Sequence, residues 1–557
     1  MNDYSVLIGG KSGFGIDKSG TVIGLILNRL GRHIYIYRDY PSLIRGGHTF
    51  SIIRSSKEKI LTHVDKVDLI LALNQDTFNL HKDKLKDNFI VIYDSDSIKI
   101  DNLDAGIQAI GVPIAKIIKE ENASEIMRNS CIIGAFVKAY GIKWEILQSI
   151  FEKEFTKETD LNLNIARRGY DEVKESLKLE SLSQDSLPLL SGNQAISLGL
   201  IKGGLKTYIS YPMTPTSPIL HFLAGIADNF NLKVIHPESE IGVILMALGF
   251  SYMGEKVAVG TSGGGFCLMT EGLSFAGMAE LPIVIIVGQR PGPSTGLPTY
   301  STQTELQFVL TAGQGEFVRF IIAPGDTEEA YFWSAQAMNI SWKYQMPSII
   351  LTDKNLGESI FSFDIGSIPE IKEEMPFLWD RKSPYKRYLV TESGVSPLVF
   401  PLDKDAIVKV NSYEHDEYGI SIEDSKQTTL MQDKRLRKEK YLQIELDKLE
   451  TVKVYGNKNS PVGLLCWGSN KGVCLEVAEK LDFKVIQPLV FSPFPVEQFK
   501  EACKGTSKLV CVESNATGQL ARLIRMYGFN VDEQILKYDG RPFSLDELEE
   551  RVRGIIT

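Results

Sequence analysis

The amino-acid sequence predicts an α/β protein with several doubly wound domains, in which helices cover both faces of mostly parallel sheets. Short apolar runs alternate with helical patterns along most of the chain, and this alternation is typical of parallel sheets. The 557 residues exceed what one hydrophobic core can organise, so roughly three or four domains are expected. Glycine-rich and charged loops follow several predicted strands, at the sheet edge where such folds place their sites.

The composition argues against several classes of protein. With 43% hydrophobic residues, 24% charged residues and a net charge of −9, the chain is an ordinary globular protein rather than a basic nucleic-acid-binding one. No uncharged apolar run approaches the ~20 residues that span a membrane, and no signal peptide is predicted. The six cysteines form no CxxC pair, which argues against an iron–sulfur cluster or disulfide framework and favours the reducing cytoplasm; they are Cys131, Cys267, Cys466, Cys474, Cys503 and Cys511.

Residues 1–178 are predicted to form a first α/β domain. Its strand patterns are Tyr4–Ile8, His33–Tyr37, Thr49–Ile53, Asp68–Leu73 and Phe89–Tyr93, and its helical patterns are Ser19–Leu30, Ala123–Tyr140 and Trp144–Phe155. Residues 179–192 mix Ser, Asp, Leu and Pro without a clear period, which predicts a linker. The alternative is a short extended crossover that lies on the next domain.

The first strand pattern leads into the loop GGKSGFGIDKSG, from Gly9 to Gly20. A P-loop needs glycine where Ser5 stands, and the dinucleotide fingerprint needs glycine where Lys18 stands. Two interpretations stay open: a tight turn between strand and helix, or a nest of backbone amides that binds a phosphate. A second glycine cluster, from Arg45 to His48, can face the same ligand.

Residues 193–370 are predicted to form a second α/β domain. Its strand patterns are Thr207–Tyr211, Leu232–Ile235, Lys256–Val259, Pro282–Val287, Phe320–Ile322 and Pro347–Leu351. The loops after these strands carry Thr214, Glu240, the glycines Gly263–Gly265 and Arg290. Because the carboxyl ends of parallel strands meet at one sheet edge, we expect these residues to lie in one site.

The rest of the chain divides into a charged connecting segment and a third α/β domain. Residues 371–455 contain few apolar runs, and Lys434–Lys448 is predicted to be a solvated helix. In the same segment, His415–Glu417 predicts either a surface turn or a metal or acid–base cluster. Residues 456–557 form the third domain, where Glu513–Asn515 ends a strand and is predicted to cap the following helix, or else to contact a partner.

The stretch from Ile235 to Glu305 is the strongest candidate for function. Glu238 and Glu240 directly precede an apolar helix pattern, Ile241–Met253, and Arg290 follows an apolar strand pattern. Charges at the ends of buried elements are costly, so their presence often marks a functional site.

Six segments, three of them within this stretch, resemble the 2-oxoacid:ferredoxin oxidoreductases, and they occur in the same order. They are Tyr211–Ser217, Glu238–Glu240, Thr261–Gly265, Gly292–Thr299, Glu414–Gly419 and Glu513–Leu520. The third reads TSGGG, with Gly264 where the pyruvate enzymes have proline. The N-terminal GGKSGFGI and IRGG are similar to the γ subunit of this family. The resemblance implies a γ-type domain at 1–178, a pyrimidine-binding thiamine diphosphate domain at 193–370 and a transketolase C-terminal-like domain at 456–557.

The resemblance also implies roles for single residues. Glu240 matches the carboxyl group that holds the ring nitrogen of thiamine diphosphate and so activates the cofactor. By the same resemblance, Ser262, Gly263 and Gly264 would lie next to the cofactor. The 2-oxoacid would be bound by Tyr211, Thr214, Arg290, Ser294 and Thr295, with the arginine as a two-pronged clamp for a carboxylate. CoA would be bound by Gly13, Gly15 and Arg45.

The implied function is a subunit that takes part in the oxidative decarboxylation of 2-oxoglutarate to succinyl-CoA, with electrons passed to ferredoxin. The loop GPSTGLPT favours 2-oxoglutarate, while pyruvate or branched 2-oxoacids remain the alternative substrates. A non-catalytic scaffold subunit and a nucleotide-binding module in residues 1–178 are the other hypotheses. The chain lacks a GDG segment followed by Asn-Asn and lacks clustered cysteines. A β subunit is therefore expected to hold the diphosphate, Mg²⁺ and a [4Fe-4S] cluster in a heterotetramer, and this chain alone should be inactive.

Overall fold

The chain forms two compact units in the computed structural model, which describes residues 3–42, 47–100 and 106–556. Unit 1 comprises Met1–Leu190, Ser359–Asp364 and Phe543–Thr557, and unit 2 comprises Ser191–Glu358 and Ile365–Pro542. The segment that begins at Phe543 thus belongs to unit 1, although the sequence analysis placed it in the third domain. The domain boundaries predicted at residues 178, 192, 370 and 455 stay predictions.

The first part of the chain supplies most of unit 1. Its elements are β1 (Asp3–Lys11), α1 (Ile16–Asn28), β2 (His33–Asp39), β3 (His48–Ser56), β4 (Val67–Ala72), α2 (Gln75–His81), β5 (Leu85–Asp94), β6 (Gln108–Val112), α3 (Ile114–Glu120), α4 (Arg128–Ala139), α5 (Trp144–Glu154), α6 (Thr159–Asp171) and β7 (Leu189–Ser191). The predicted linker therefore ends in a short strand.

The central part of the chain belongs to unit 2, apart from one strand. Its elements are α7 (Gly192–Lys202), β8 (Thr207–Ile209), α8 (Ser217–Phe230), β9 (Lys233–Ile235), α9 (Glu240–Tyr252), β10 (Val257–Ser262), α10 (Gly263–Ala279), β11 (Ile283–Gln289), α11 (Leu306–Thr311), β12 (Phe320–Ile322), α12 (Thr327–Tyr344), β13 (Pro347–Asp353), α13 (Lys354–Glu358), β14 (Ile360–Ser362) and α14 (Ser425–Leu446). Strand β14 is the exception and lies in unit 1.

The last part of the chain adds a smaller sheet to unit 2. Its elements are β15 (Val452–Gly456), β16 (Val462–Leu465), α15 (Asn470–Leu481), β17 (Lys484–Pro488), β18 (Val490–Ser492), α16 (Val496–Ala502), β19 (Lys508–Glu513), α17 (Gln519–Met526), β20 (Glu533–Leu536) and α18 (Leu545–Ile556). Helix α18 lies in unit 1. The N-cap residue of α17 is Gly518 and not a residue of Glu513–Asn515, but the carboxylate of Glu513 accepts hydrogen bonds from the amides of Leu520 and Ala521 in the first turn of this helix.

The sheet of unit 1 is mixed, which corrects the expectation of a mostly parallel sheet. Its strand order is β6-β5-β4-β1-β3-β2-β14-β7. Strands β1, β4, β5 and β6 pair in parallel, but β3 is antiparallel to both β1 and β2, and β14 is antiparallel to β2. The connection from β2 to β3 covers only residues 40–47, which is shorter than the dozen or so residues of a parallel crossover.

The large sheet of unit 2 explains why its strands are apolar throughout. Its order is β18-β12-β13-β11-β10-β8-β9, and all pairs are parallel except β12 with β18. Along β11, Ile283, Ile285 and Val287 enter one hydrophobic cluster, while Val284 and Ile286 enter another on the opposite face. Both faces are covered, as expected for a parallel sheet. The small sheet has the order β15-β17-β16-β19-β20.

Helix α14 is not the solvated helix that its charges predict. It starts at Ser425, where Asp424 caps it, and ends at Leu446. The side chains of Lys434 and Lys438, one helical turn apart, are buried and both pair with Glu280 at the end of α10. A charged residue can face the interior when a partner is buried with it. The sequence pattern shows the two lysines but not the carboxylate that receives them.

Candidate active site

The predicted site residues of unit 2 gather at one edge of its large sheet. Strands β8, β10 and β11 run in parallel, with Ser262 at the end of β10 level with Gly288 near the end of β11. The loops that follow these strands therefore leave the sheet side by side. The roles assigned to the single residues stay predictions, but the structure brings most of them together.

Glu240 is the first residue of α9 and is buried, with 6% of its surface exposed. Ser239 is the N-cap residue, and Glu238 is exposed to solvent. The partial positive charge of the helix N-terminus favours a carboxylate in this position. Of the two carboxylates in the ESE segment, only Glu240 thus points into the protein, which agrees with its choice as the stronger candidate.

The glycines at the start of α10 make room for two carboxyl groups. A Cβ atom on Gly265 would lie 2.5 Å from Glu240 Oε1 and 2.1 Å from Thr261 Oγ1. A Cβ atom on Gly263 would lie 2.7 Å from Oε1 of Glu305. By contrast, a Cβ on Gly264 would have a nearest neighbour at 3.9 Å, so this residue faces open space. The turn therefore separates two carboxyl groups and leaves an accessible backbone between them.

Two buried hydroxyl groups at this turn have unused hydrogen-bonding capacity. Within the described part of the chain, neither Thr261 Oγ1 nor Ser262 Oγ has a hydrogen-bond partner. Buried hydroxyls normally find partners. Together with the space beside Gly264, these atoms fit the edge of a polar heteroaromatic ring such as the pyrimidine of thiamine diphosphate, which presents both donors and acceptors.

We expect Gly265→Ala to disturb this turn while the rest of the fold is kept. The new Cβ would overlap Thr261 and displace the carboxyl of Glu240, and such overpacking costs about 1–3 kcal/mol of unfolding free energy. The midpoint temperature of thermal unfolding should fall, and so should the turnover rate of the assembled enzyme. Gly225→Ala in α8 is the matched control, since among the described residues nothing beyond its chain neighbours and its own helix backbone lies within 4 Å of its Cβ position. Equal effects of the two substitutions would contradict a special role for Gly265.

Arg290 connects two of the loops. Its Nη1 donates a hydrogen bond of 3.0 Å to the backbone oxygen of Thr214. Burial lowers the pKa of Arg290 from its ordinary value, although the charge of Glu305 acts in the opposite direction. Tyr211 lies three positions before Thr214 in the sequence, and its ring centroid is 6.1 Å from that of His236. Arg290 and Thr214 are therefore adjacent, as the carboxylate-clamp hypothesis requires.

The predicted residues Ser294 and Thr295 lie on an exposed loop. Ser294 adopts a left-handed conformation with φ of 56°, and its backbone oxygen is the atom nearest to the Cβ position of Gly264. The loop thus passes next to the first turn of α10.

The sequence analysis did not name Glu305 as a site residue. Its Oε1 accepts a hydrogen bond from Thr304 Oγ1 at 2.9 Å, and its backbone amide donates to Gln289 Oε1. Burial raises the pKa of Glu305 to about 7, although Thr304 and Arg290 act in the opposite direction. A glutamate before a short helix is common in sequences, so only the contact with Gly263 reveals its place in the site.

Gln303 is a second residue that the sequence analysis missed. It is fully buried, and its Oε1 accepts hydrogen bonds from Ser514 N at 2.9 Å and Asn470 Nδ2 at 2.8 Å. The Nε2 of Gln303 donates to the backbone oxygen of Trp467, and Asn515 Nδ2 donates to the backbone oxygen of Gln303. The strand ends of the small sheet thereby hold the segment that leads into α11.

The N-terminal glycine loop is tight, and part of its predicted surroundings lies outside the described residues. Gly13 and Gly15 have φ of 94° and 72°, which suits glycine, and the amide of Ser12 donates to the backbone oxygen of Gly47. Gly47 of the second glycine cluster is therefore a neighbour of this loop. Arg45, the third predicted CoA contact, falls in the segment 43–46 that the structure does not describe.

The cluster His415–Glu417 forms a turn with its side chains directed to other partners. His415 is buried and its ring centroid lies 3.8 Å from that of Tyr388, whereas Asp416 and Glu417 are half-buried. Glu417 pairs with Lys386 at 2.7 Å. Across residues 3–42, 47–100 and 106–556, no group of three or more His, Cys, Asp or Glu side chains is placed to hold a metal ion.

Comparisons with known proteins cover almost the whole chain. A family model described as "Pyruvate flavodoxin/ferredoxin oxidoreductase, thiamine diP-bdg" matches residues 198–434, and "Pyruvate ferredoxin/flavodoxin oxidoreductase" matches residues 5–172. The 2-oxoacid:ferredoxin oxidoreductase subunit alpha of a Sulfolobus species is 32% identical over 99% of this chain and 97% of its own. The 2-oxoglutarate synthase subunit KorA of Methanocaldococcus jannaschii is 31% identical over 66% of this chain and 99% of its own.

A solved structure matches the fold over its full length. The 2-oxoglutarate:ferredoxin oxidoreductase from Magnetococcus marinus, solved with 2-oxoglutarate, coenzyme A and succinyl-CoA bound, superimposes with a TM-score of 0.91 at 28% identity and covers 100% of both chains. Within the described residues, no helix is long and apolar enough to cross a membrane.

These matches define an oxidoreductase subunit with a thiamine diphosphate-binding domain. The chain belongs to the 2-oxoacid:ferredoxin oxidoreductase family. The family and the α/β fold class predicted from the sequence are therefore confirmed.

Proposed function

We propose that this chain is the α-type subunit, fused to a γ-type domain, of a 2-oxoglutarate:ferredoxin oxidoreductase. The observation that carries this proposal is the arrangement of Glu240, the glycine turn of α10 and Arg290 at one sheet edge. Relatives named for 2-oxoglutarate, and a solved relative with 2-oxoglutarate and succinyl-CoA bound, support this choice of substrate. Pyruvate and branched 2-oxoacids are less favoured alternatives.

The residues of this chain would act on the cofactor and on the substrate from opposite sides of the α10 turn. When bound, thiamine diphosphate supplies a carbon nucleophile that allows a 2-oxoacid to lose CO2. Glu240 would hold a proton at the pyrimidine ring nitrogen, since a buried carboxyl at this turn is placed for a hydrogen bond to a ring edge. Ser262 Oγ and the backbone at Gly264 would fix the orientation of that ring.

The substrate would be bound by charge and by shape. Arg290 offers a guanidinium that can hold a carboxylate with two parallel hydrogen bonds, and Thr214 lies next to it. Tyr211 would form one wall, and Ser294 and Thr295 would border the entrance on the exposed loop. A non-catalytic scaffold is not favoured, because such a subunit would have no use for a buried glutamate and an arginine at the same edge.

A β-type partner would complete the site. Helices α9 and α10 expose several large apolar side chains next to Glu240, with about half of each surface accessible: Ile241, Leu245, Met246 and Leu268. Apolar patches of this kind mark protein interfaces. We propose that the partner on this surface holds the diphosphate, Mg²⁺ and a [4Fe-4S] cluster, and that ferredoxin accepts the electrons. The N-terminal glycine loop, with Gly13, Gly15 and Arg45, is proposed as the CoA contact.

The test is reconstitution with the partner subunit, which should be encoded by a neighbouring reading frame with a GDG segment, a later Asn-Asn and clustered cysteines. The assembled enzyme should reduce a viologen dye in the presence of CoA and 2-oxoglutarate, and more slowly with pyruvate or branched 2-oxoacids. The chain alone should show no reduction. The absence of activity with every 2-oxoacid would refute the proposed function, and a preference for pyruvate would refute only the choice of substrate.

A further inference from the structure

Glu305 has a carboxyl oxygen that is buried and unused. The residue as a whole is only partly exposed, and its Oε2 atom is inaccessible to solvent. Among the described residues, no donor contacts this atom, whereas Oε1 is held by Thr304. A buried carboxylate oxygen without a partner costs free energy, so the neutral acid is the form that suits this place.

The surroundings of Glu305 contain one opposite charge. The end of β11 brings Gln289 and Arg290, and only Arg290 is charged. The first turn of α10 and the segment 301–304 carry no titratable side chain. Glu240 lies against Gly265 of the same turn, and the carboxylate of Glu513 accepts hydrogen bonds from the amides of Leu520 and Ala521 in α17. Helix α17 contributes Gln519, whose Nε2 donates to the backbone oxygen of Thr304, and its two arginines, Arg522 and Arg525, are exposed. Arg290 is therefore the positive group with which an ionised Glu305 interacts.

This arrangement gives the two charge states of Glu305 different consequences. While the carboxyl is neutral, the positive charge of Arg290 is uncompensated and is free to bind an anion. Once the carboxyl is ionised, it attracts Arg290 and repels any carboxylate that approaches it. Glu305 and Arg290 interact through their charges, and such an interaction is strong where both groups are partly removed from water.

We propose that Glu305 is a positioning residue whose ionisation withdraws Arg290 from the substrate, so that the 2-oxoacid binds to the form in which Glu305 is protonated. The inference rests on the proposed function, in which Arg290 binds the carboxylate of the substrate. Because burial raises the pKa of Glu305 to about 7, this coupling falls in the range where the cell operates. Glu305 holds or releases a proton here and takes part in no bond-forming step.

The test is the pH dependence of KM for 2-oxoglutarate in the assembled enzyme between pH 6 and 9, at saturating CoA. For the wild type we expect KM to rise above pH 7, towards a limit of about tenfold per pH unit, with kcat changing less. Glu305→Gln keeps the neutral form, so its KM should stay flat and low. Protection of the complex against heat by 2-oxoglutarate should follow the same pattern without depending on turnover.

Thr304→Val provides a second variant if Glu305→Gln fails to fold. The Thr304 hydroxyl lowers the pKa of Glu305, so its loss should move the rise of KM to higher pH. Glu479→Gln, an exposed glutamate on α15, should behave as the wild type. A flat wild-type profile, or an unchanged rise of KM in Glu305→Gln, would overturn the inference while leaving the proposed function intact. Absence of turnover at every pH would overturn both.

Discussion

Replacing Glu240 with glutamine should lower kcat of the assembled enzyme by about 10²–10⁴-fold, the range typical of a lost proton-transfer group. Glu240 is buried at the first turn of α9, where Gly265 leaves just enough space for its carboxyl. Glutamine has nearly the same shape, but its amide cannot take up and release a proton as a carboxyl group does. The loss should therefore appear in kcat, while KM for 2-oxoglutarate changes little. The measurement is CoA-dependent dye reduction with purified complex.

Glu238→Gln is the matched control for this experiment. Glu238 lies two residues before Glu240 and is exposed, so the same chemical change there should leave kcat close to that of the wild type. Full activity of Glu240→Gln would remove Glu240 from its proposed role. A comparable loss in both variants would indicate a general disturbance of the segment before α9 instead.

Replacing Glu280 with glutamine should lower the unfolding free energy by about 3–5 kcal/mol, as expected when one partner of a buried ion pair is removed. Glu280 is 1% exposed, and its carboxylate receives Lys434 Nζ at 2.7 and 2.9 Å as well as Lys438 Nζ. Arg387 donates to its backbone oxygen at 2.8 Å. Burial acts to raise the pKa of Glu280, but Lys434, Lys438 and Arg387 outweigh it and hold the pKa well below its ordinary value.

Part of the lost unfolding free energy should be regained when a lysine of the cluster is replaced together with Glu280. Lys438→Met in the background of Glu280→Gln leaves fewer unpaired buried charges, so the double variant should be less destabilised than the sum of the single ones. Lys440→Met, an exposed position on the same helix, should show no such coupling. Thermal and denaturant unfolding of the complex measure these differences. Simple additivity would show that the three groups do not act as one cluster.

The sequence was sufficient for the elements that carry regular periodicity. The strands of the large sheet of unit 2 were predicted because both faces of a parallel strand are buried, which produces an apolar run such as that from Ile283 to Val287. The site loops could also be placed, since Thr214, Glu240 and Arg290 follow such strands. The mixed sheet of unit 1 was missed, although the short connection between β2 and β3 is visible in the sequence and favours an antiparallel pair.

The missed residues share a physical reason. Glu305 and Gln303 gain their importance from partners far along the chain, since Gln303 meets Ser514 and Glu305 lies against Gly263. Lys434 is similar, because its partner Glu280 is separated from it by 154 positions. A local pattern reports the polarity of a residue but not what lies opposite to it. A buried charge therefore looks the same as a solvated one until the fold is known.

Residues 543–557 belong to the same unit as the first 190 residues, and this has a consequence for the biosynthesis of the protein. Leu545 N donates to the backbone oxygen of His63, and Asp546 accepts from Asp65 N at 2.6 Å. A nascent chain leaves the ribosome from its N-terminus at a few residues per second. The last helix of unit 1 is therefore translated only after unit 2, so the fold of unit 1 is completed after unit 2 has been synthesised. Translation of unit 1 thus begins before that of unit 2 and ends after it.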